Sequence, residues 1–265
     1  MLRSRAAGLR GRAAVSGARR QRMGQNAAIP TLTLTATTTG AGETVTIHRM
    51  TPAAGKTLTI QWGDGNSTVV AAGDETAKAN VYAAAGTYSI AVTLATDIVQ
   101  INLHDSKLSG FQSSQLAASA INYFTCYSLG AAVASVIDSA DMAAWTPSYW
   151  WLSSMPAGTT FTLDAAHFAG FTTCRSFRAD ANGWSQAQVN AVLWGLYQAT
   201  LSRTVTGGTI QIDGSNAAPS GTFQAAAACP VTVATPGKEV AHELLNDGCN
   251  AIAEGETWAT VAVTA

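Results

Sequence analysis

The sequence predicts a mainly β protein with some α, in which a small β-sandwich near the start is followed by an irregular α/β solenoid. Three observations predict this. Two stretches between Thr57 and Leu94 alternate apolar and polar residues with the period of a half-buried strand. Further on, short apolar strands recur at spacings of about 23 to 35 residues, the range expected when each repeat is one turn of a solenoid. Helical spacing is clearest at Ser185 to Ala199.

In the first of these stretches Leu58, Ile60 and Trp62 alternate with Thr57, Thr59 and Gln61. Gly63-Asp64-Gly65-Asn66 then supplies residues that tolerate positive φ, so the strand ends in a tight turn. From Gly86 onward Tyr88, Ile90, Val92 and Leu94 face one way and Thr87, Ser89, Ala91 and Thr93 the other. Trp62 and Tyr88 are therefore expected as buried anchors. Upstream, Leu32 and Leu34 alternate with threonines, and Val45-Thr46-Ile47 follows Gly40-Ala41-Gly42 as a hairpin partner. Pro52 and Gly55 read as the loop into the strand at Leu58, and Gly73-Asp74-Glu75 as a surface turn. His48 reads as ordinary surface.

A strand ending in Trp62-Gly63-Asp64-Gly65, followed by Tyr82 and then Ala85-Gly86-Thr87-Tyr88, resembles the polycystic-kidney-disease (PKD) family of immunoglobulin-like β-sandwiches. The likeness spans residues 30 to 95, with Asn80 where the family often has His. It implies an extracellular or particle-surface binding and spacer module rather than an enzyme. Asp64 reads as a cation ligand or as a side chain capping its own turn, the commoner use of Asp at such a place.

After Leu94 the candidate strands are Ile98 to Leu103, Ile121 to Cys126, Tyr149 to Leu152 or Phe161 to Leu163, Cys174 to Phe177, and Thr209 to Ile212. Small loops or short helices such as Phe111 to Ser119 separate them. In the clearest helix Ser185 is a plausible N-cap, and Val189, Val192, Leu193, Leu196 and Tyr197 form one face expected to pack on the sheet. Ile101-x-Leu103 with Asp105 to Gly110, and Ile210-x-Ile212 with Gly214 to Ser220, resemble degenerate leucine-rich-repeat solenoids, with a different repeat length and no regular buried Asn. The run from Gly183-Trp184-Ser185 to Pro219-Ser220 is similar to a module of bacteriophage virion proteins and of some bacterial surface proteins. A helical piece at Val240 to Leu245 precedes an alternating end, Thr257 to Val263, that either caps the solenoid or pairs with a neighbouring subunit. The expected division is a basic arm over 1–28, a PKD-like sandwich over 29–95, a leucine-rich-repeat-like solenoid over 96–221 and a cap over 222–265.

Only 12% of the residues are charged, against about 25% in an average soluble protein. Ala, Thr, Ser and Gly fill the surface positions, which suits packing against copies of the chain or a larger assembly. No apolar run reaches the roughly 18 to 20 residues of a membrane span, so no membrane insertion is expected. The net charge of -1 conceals an asymmetry, because seven arginines, Arg3 to Arg22, crowd the start and the first acidic residue is Glu43. Without them eight basic residues face 16 acidic ones, a formal charge near -8. Residues 1 to 28 are expected to be disordered, and three readings stay open for them. They resemble an organelle transit peptide, they form an arm for nucleic acid or an acidic partner, or translation begins at Met23. They contain no apolar core of a secretory signal.

The search for chemistry returns fragments. Cys126, Cys174, Cys229 and Cys249 lack C-x-x-C spacing, and the first two read as core thiols. Cys229 and Cys249 could pair as a disulfide in an oxidising setting. His242-Glu243-Leu244-Leu245-Asn246 falls one histidine short of the H-E-x-x-H zinc motif. No nucleophile elbow, phosphate loop or dinucleotide fingerprint is present. Asp138 with Asp141, and Asp164 with His167, have the spacing of acid-base groups and equally of turn caps. The densest aromatic cluster, Trp145, Tyr149, Trp150 and Trp151, reads as core in its alternate members and as a candidate sugar or protein contact where rings are exposed.

The expected function is that of a non-enzymatic structural or adhesive component of a bacteriophage virion, on the tail or capsid surface. The expected partners are other virion proteins, copies of itself, or a host surface protein or glycan, with nucleic acid reached only through the arm. No cofactor and no metal are expected. A bacterial cell-surface adhesin is the alternative, and a glycan-active enzyme, which would need paired carboxylates, is the third reading.

Overall fold

The structure is a computed structural model that describes residues 30–227, 231–247, 249, 252 and 257–264. The basic arm lies outside the described residues. Seven strands occupy the first part: β1 (Thr31–Thr38), β2 (Glu43–Ile47), β3 (Arg49–Pro52), β4 (Thr57–Gln61), β5 (Ser67–Ala71), β6 (Lys78–Tyr82) and β7 (Gly86–Thr93). β5, β4, β7 and β1 pair antiparallel in that order, and β2 pairs antiparallel with β6. The alternation seen in the sequence is the burial pattern for Leu32, Leu34, Leu58, Ile60, Ile90 and Val92, but Leu94, expected on the face of Ile90 and Val92, is 39% exposed because β7 ends at Thr93 and Leu94 turns away with φ of 60°.

Trp62 is buried as expected, and its indole N–H donates to Thr68 at 2.9 Å. Tyr88 is only half-buried. The second buried anchor is Tyr82, whose hydroxyl donates to the Trp62 carbonyl at 2.8 Å and whose ring lies 4.2 Å from that of Tyr88. Burial pushes the Tyr82 phenol up to about 12. Tyr88 ends at the surface because its hydroxyl reaches the Ala84 carbonyl of the preceding turn. Asp64 caps its own turn, accepting from Asn66 N at 3.0 Å, and Asn80 donates to its other oxygen.

The remaining elements are β8 (Ile98–Leu103), β9 (Leu108–Ser109), β10 (Tyr123–Tyr127), β11 (Val136–Asp138), β12 (Tyr149–Ser153), β13 (Thr160–Thr162), α1 (Ala165–Phe168), β14 (Ser176–Arg178), α2 (Gln186–Thr200), β15 (Thr209–Ile212), α3 (Gly237–Asn246) and β16 (Thr260–Val263). Six of these, β8, β10, β12, β14, β15 and β16, form a parallel ladder. Behind it run β11 and β13, also parallel, then one-turn helices at Ser113–Leu116 and Ser139–Met142, α1 and the long α2. Tyr149 to Leu152 and Phe161 to Leu163, read as alternatives, both contribute strands, one to each layer.

The two parts share both layers. β3, which runs up to Pro52 where a loop is expected to begin, pairs antiparallel with β8 and extends the ladder, while β9 pairs antiparallel with β1 and extends the other sheet. Pro52 interrupts the β3 register after Thr51 and ends the strand, because proline has no N–H to give the ladder. The buried side chains of both parts form one continuous core.

The units after β8 are more regular than their strand spacing suggested. Gln112, Asp138 and Asp164 stand 26 residues apart, each at the N-cap of a one-turn helix, and Leu116, Met142 and Phe168 follow at the same interval as its buried residue. Asp138 and Asp164 accept from the backbone N–H two residues on at 2.9 Å. Ser185 caps α2 in a reciprocal capping box with Gln188. Gly195 lets α2 close on α1, since a Cβ there would run into the Ala165 carbonyl and Phe168. Buried Asn216 and half-buried Asn182 bond the turn backbone, Asn216 accepting from Trp184 N and Asn182 from Met155 N, so buried Asn side chains do occur here.

Four of the six ladder strands, β10, β12, β14 and β15, leave through a left-handed residue: Ser128, Ser154, Ala181 and Gly214, with φ of 53, 49, 56 and 73°. Only the last is the residue type that adopts this backbone without strain. Ala181→Gly is expected to raise stability by about 0.5–1 kcal/mol, read as a higher urea midpoint at constant slope. A fall would show that the Ala181 methyl packs better than its backbone suffers.

Candidate functional site

Alternation along the ladder gives it one face in the core and one facing outward. The inward column runs Ile101, Phe124, Trp150, Phe177 and Ile210, all fully buried. Outward, register aligns Gln100, Tyr123, Tyr149, Ser176 and Thr209, and beside them Asn102, Thr125, Trp151, Arg178 and Gln211. One step further along lie His104, Tyr127, Ser153 and Asp180.

This outward face is ordered by ring and ion contacts. Tyr123 and Tyr149 lie 5.7 Å apart, with the Arg49 guanidinium 4.6 Å from the Tyr123 centroid. His104 stacks on Tyr127 at 4.3 Å and meets His48 at 4.5 Å, so His48 belongs to a ring stack and is not bare surface. Burial and the neighbouring His48 hold the His104 imidazole below its ordinary value. The Trp151 indole N–H donates to Ser176 at 2.8 Å, and Arg178 sits 5.9 Å from the Trp151 ring. Arg178 Nε donates to Asp180 at 2.6 Å, and Ser153 donates to the same oxygen at 2.7 Å. Burial pushes the Asp180 carboxyl up, but the bonds from Arg178 and Ser153 outweigh it and the group stays below the usual range.

Tyr127, Trp151, Ser153, Arg178 and Asp180 line an open cavity of about 260 Å³. The turn residues Ser128 and Ser154 complete its lining. Next to it Thr125 faces outward yet is 1% exposed, and its hydroxyl has no hydrogen-bond partner; neither does the Asn102 side-chain oxygen one strand away.

Of the four aromatic residues singled out in the sequence, two face outward. Tyr149 is 41% exposed and Trp151 half-buried. Trp145 and Trp150 are core and cannot touch a ligand: Trp150 points inward between its strand neighbours, and Trp145 donates to the Leu116 carbonyl at 3.3 Å. The sequence reading missed Tyr127, Arg178 and Asp180: register sets Tyr127 beside Ser153 and Arg178 beside Trp151, and Asp180, just past β14, is bonded by Ser153.

The candidate acid-base groups lie away from this cavity. Asp138 and Asp164 are the helix caps described above, Asp141 accepts from Ser113 at 2.6 Å, and His167 bonds the Ser139 hydroxyl at 3.0 Å. Glu243 is fully buried and accepts from Ala226 N and Cys249 N, clasping the end of the chain. Cys126 and Cys174 are buried and free, and burial pushes the Cys174 thiol up to about 12. Cys249 is disulfide-bonded, while Cys229, its expected partner, lies outside the described residues. Among the described residues no three His, Cys, Asp or Glu side chains group to hold a metal ion, and no helix is long and apolar enough to cross a membrane.

Compared with known proteins, the chain matches no family model, no curated protein and no solved structure.

Proposed function

We propose that the chain is a non-enzymatic structural or adhesive component of a bacteriophage virion, built from a PKD-like immunoglobulin-like sandwich fused to a leucine-rich-repeat-like solenoid, and that it contacts a host surface through the outward face of the parallel ladder. The observation that carries this reading is that face: a row of rings held in place by stacking, cation–π and hydrogen-bond contacts before any partner arrives. Preorganised aromatic and arginine side chains lose little freedom on binding and dominate the energy of contact surfaces. The low charge of the chain supports close packing within a particle.

Such contacts work through number. A face that binds weakly once gains about 10²- to 10⁴-fold in avidity when many copies sit on one particle. Purified monomer is expected to be washed from host cells under conditions in which a particle or bead carrying many copies is retained, with no reducing sugar released. Equal retention of monomer and particle would remove the multivalent reading, and sugar release would move the glycan-active enzyme to first place. Genes for portal, capsid or tail assembly beside this one would support the virion over the bacterial adhesin.

A further inference from the structure

We infer that the cavity between Tyr127 and Trp151 takes one neutral pyranose ring of a surface glycan; this rests on reading the chain as a binding protein and names the ligand class of that face. Size comes first. At about 260 Å³ the cavity falls just below the roughly 300–1,000 Å³ of sites that enclose drug-sized molecules. It fits a single small ring, and its open side lets a longer chain leave into solvent.

The chemistry of the walls selects the ring. A pyranose has apolar C–H faces and an equator of hydroxyls, so it needs flat aromatic surface together with paired donors and acceptors. Trp151 and Tyr127 supply the surface, and both are fixed beforehand, one by its bond to Ser176 and the other by its stack on His104. Asp180 supplies acceptor oxygens. Arg178 uses Nε and Nη2 on Asp180, and Nη1, with no protein partner, remains to donate. A neighbouring acceptor and donor of this kind match two adjacent hydroxyls.

Charge excludes the anionic sugars. Arg178 is the one cation of the lining, Asp180 neutralises it, and Asp213 adds a second negative field at the guanidinium. A carboxylate or sulfate ligand would find no net positive charge to offset its desolvation. A neutral ring carries no such cost.

The test uses the full chain and its amide and indole NMR spectrum. Methyl glycosides of glucose, galactose, mannose and N-acetylglucosamine are titrated beside glucuronate and sialyllactose. For a ligand of this size a dissociation constant on the order of 1 mM is expected for at least one neutral glycoside. The shifts should centre on the Trp151 indole and the Ser153 and Ser154 amides. Asp180→Asn should weaken binding at least tenfold, and Val69→Ala, exposed on β5 away from the ladder, should leave it unchanged. Should Asp180→Asn fail to fold, the shift map on the unaltered chain decides alone. No saturation by any neutral glycoside, preference for the acidic sugars, shifts elsewhere, or a folded Asp180→Asn that binds as before would each overturn the inference. Retention of the multivalent particle on host cells tests the underlying reading separately: if it persists while the glycosides fail, only the pyranose assignment falls.

Discussion

Trp150→Ala is expected to cost about 3–5 kcal/mol, which is a large share of the roughly 5–15 kcal/mol that holds an average domain folded. The ring is fully buried in the inward column, stacked on Phe177 at 4.5 Å and 8° and met edge-on by Phe168 at 6.0 Å. Phe124 stands 5.8 Å away on the other side. Truncation would open a cavity beneath three successive strands and remove aromatic pairs worth about 0.5–1.5 kcal/mol each beyond their burial. Trp150→Phe should be far milder, because the Trp150 indole N–H has no hydrogen-bond partner and its loss removes an unsatisfied donor. Urea unfolding of the two variants measures the contrast. If Trp150→Ala unfolded within about 1 kcal/mol of the parent, the inward column would not be the support of the ladder that these distances describe.

The parts of this fold that were legible in the sequence are those where local chemistry decides. Thr57 to Gln61 alternates because one face is buried, Ser185 caps α2 through its own hydroxyl, and Thr209 to Ile212 is bounded by glycines, so each could be read from a few adjacent residues. The expected helix at Val240 to Leu245 extends to Gly237 and Asn246, and the end strand is shorter than its alternation, at Thr260 to Val263. What escaped depends on partners far along the chain. Arg49 to Pro52 carries a proline and little alternation, and it is a strand only because β8 offers an edge. The 26-residue interval was hidden because the repeat is conserved in role and not in residue type: Gln112, Asp138 and Asp164 occupy one place, and Leu116, Met142 and Phe168 another. The candidate site was half legible for the same reason. Trp151 and Tyr149 stood out by composition, whereas Tyr127 and Asp180 enter only when register places strands 26 or 27 residues apart side by side.

Cutting the chain between residues 95 and 96 is expected to leave neither piece folded, although the sequence divides most readily there. The first piece would lose the partner of β3 altogether and the β9 pairing on β1, exposing two unpaired strand edges. Its Thr46 and Thr33 amides would lose Asp105 and Gln115, each bonded at 2.9 Å. The second piece would lose the strand covering β8 and the Ala95 carbonyl that Ser119 reaches at 2.8 Å. A piece of roughly 60–70 residues buries only about 60% of its unfolded surface even when its core is whole, so it has little stability to spare. Here the core is shared: Met50 sits opposite Ile101 across the seam, and Leu108 opposite Ala36. The intact chain should therefore melt in one cooperative transition, with far-ultraviolet circular dichroism and tryptophan fluorescence coinciding. Each piece alone should show no such transition, and mixing the two should restore it in part. A cooperative melt of residues 30–95 alone would show that the seam is an ordinary contact between two independent units, and that the shared sheets add nothing either half requires.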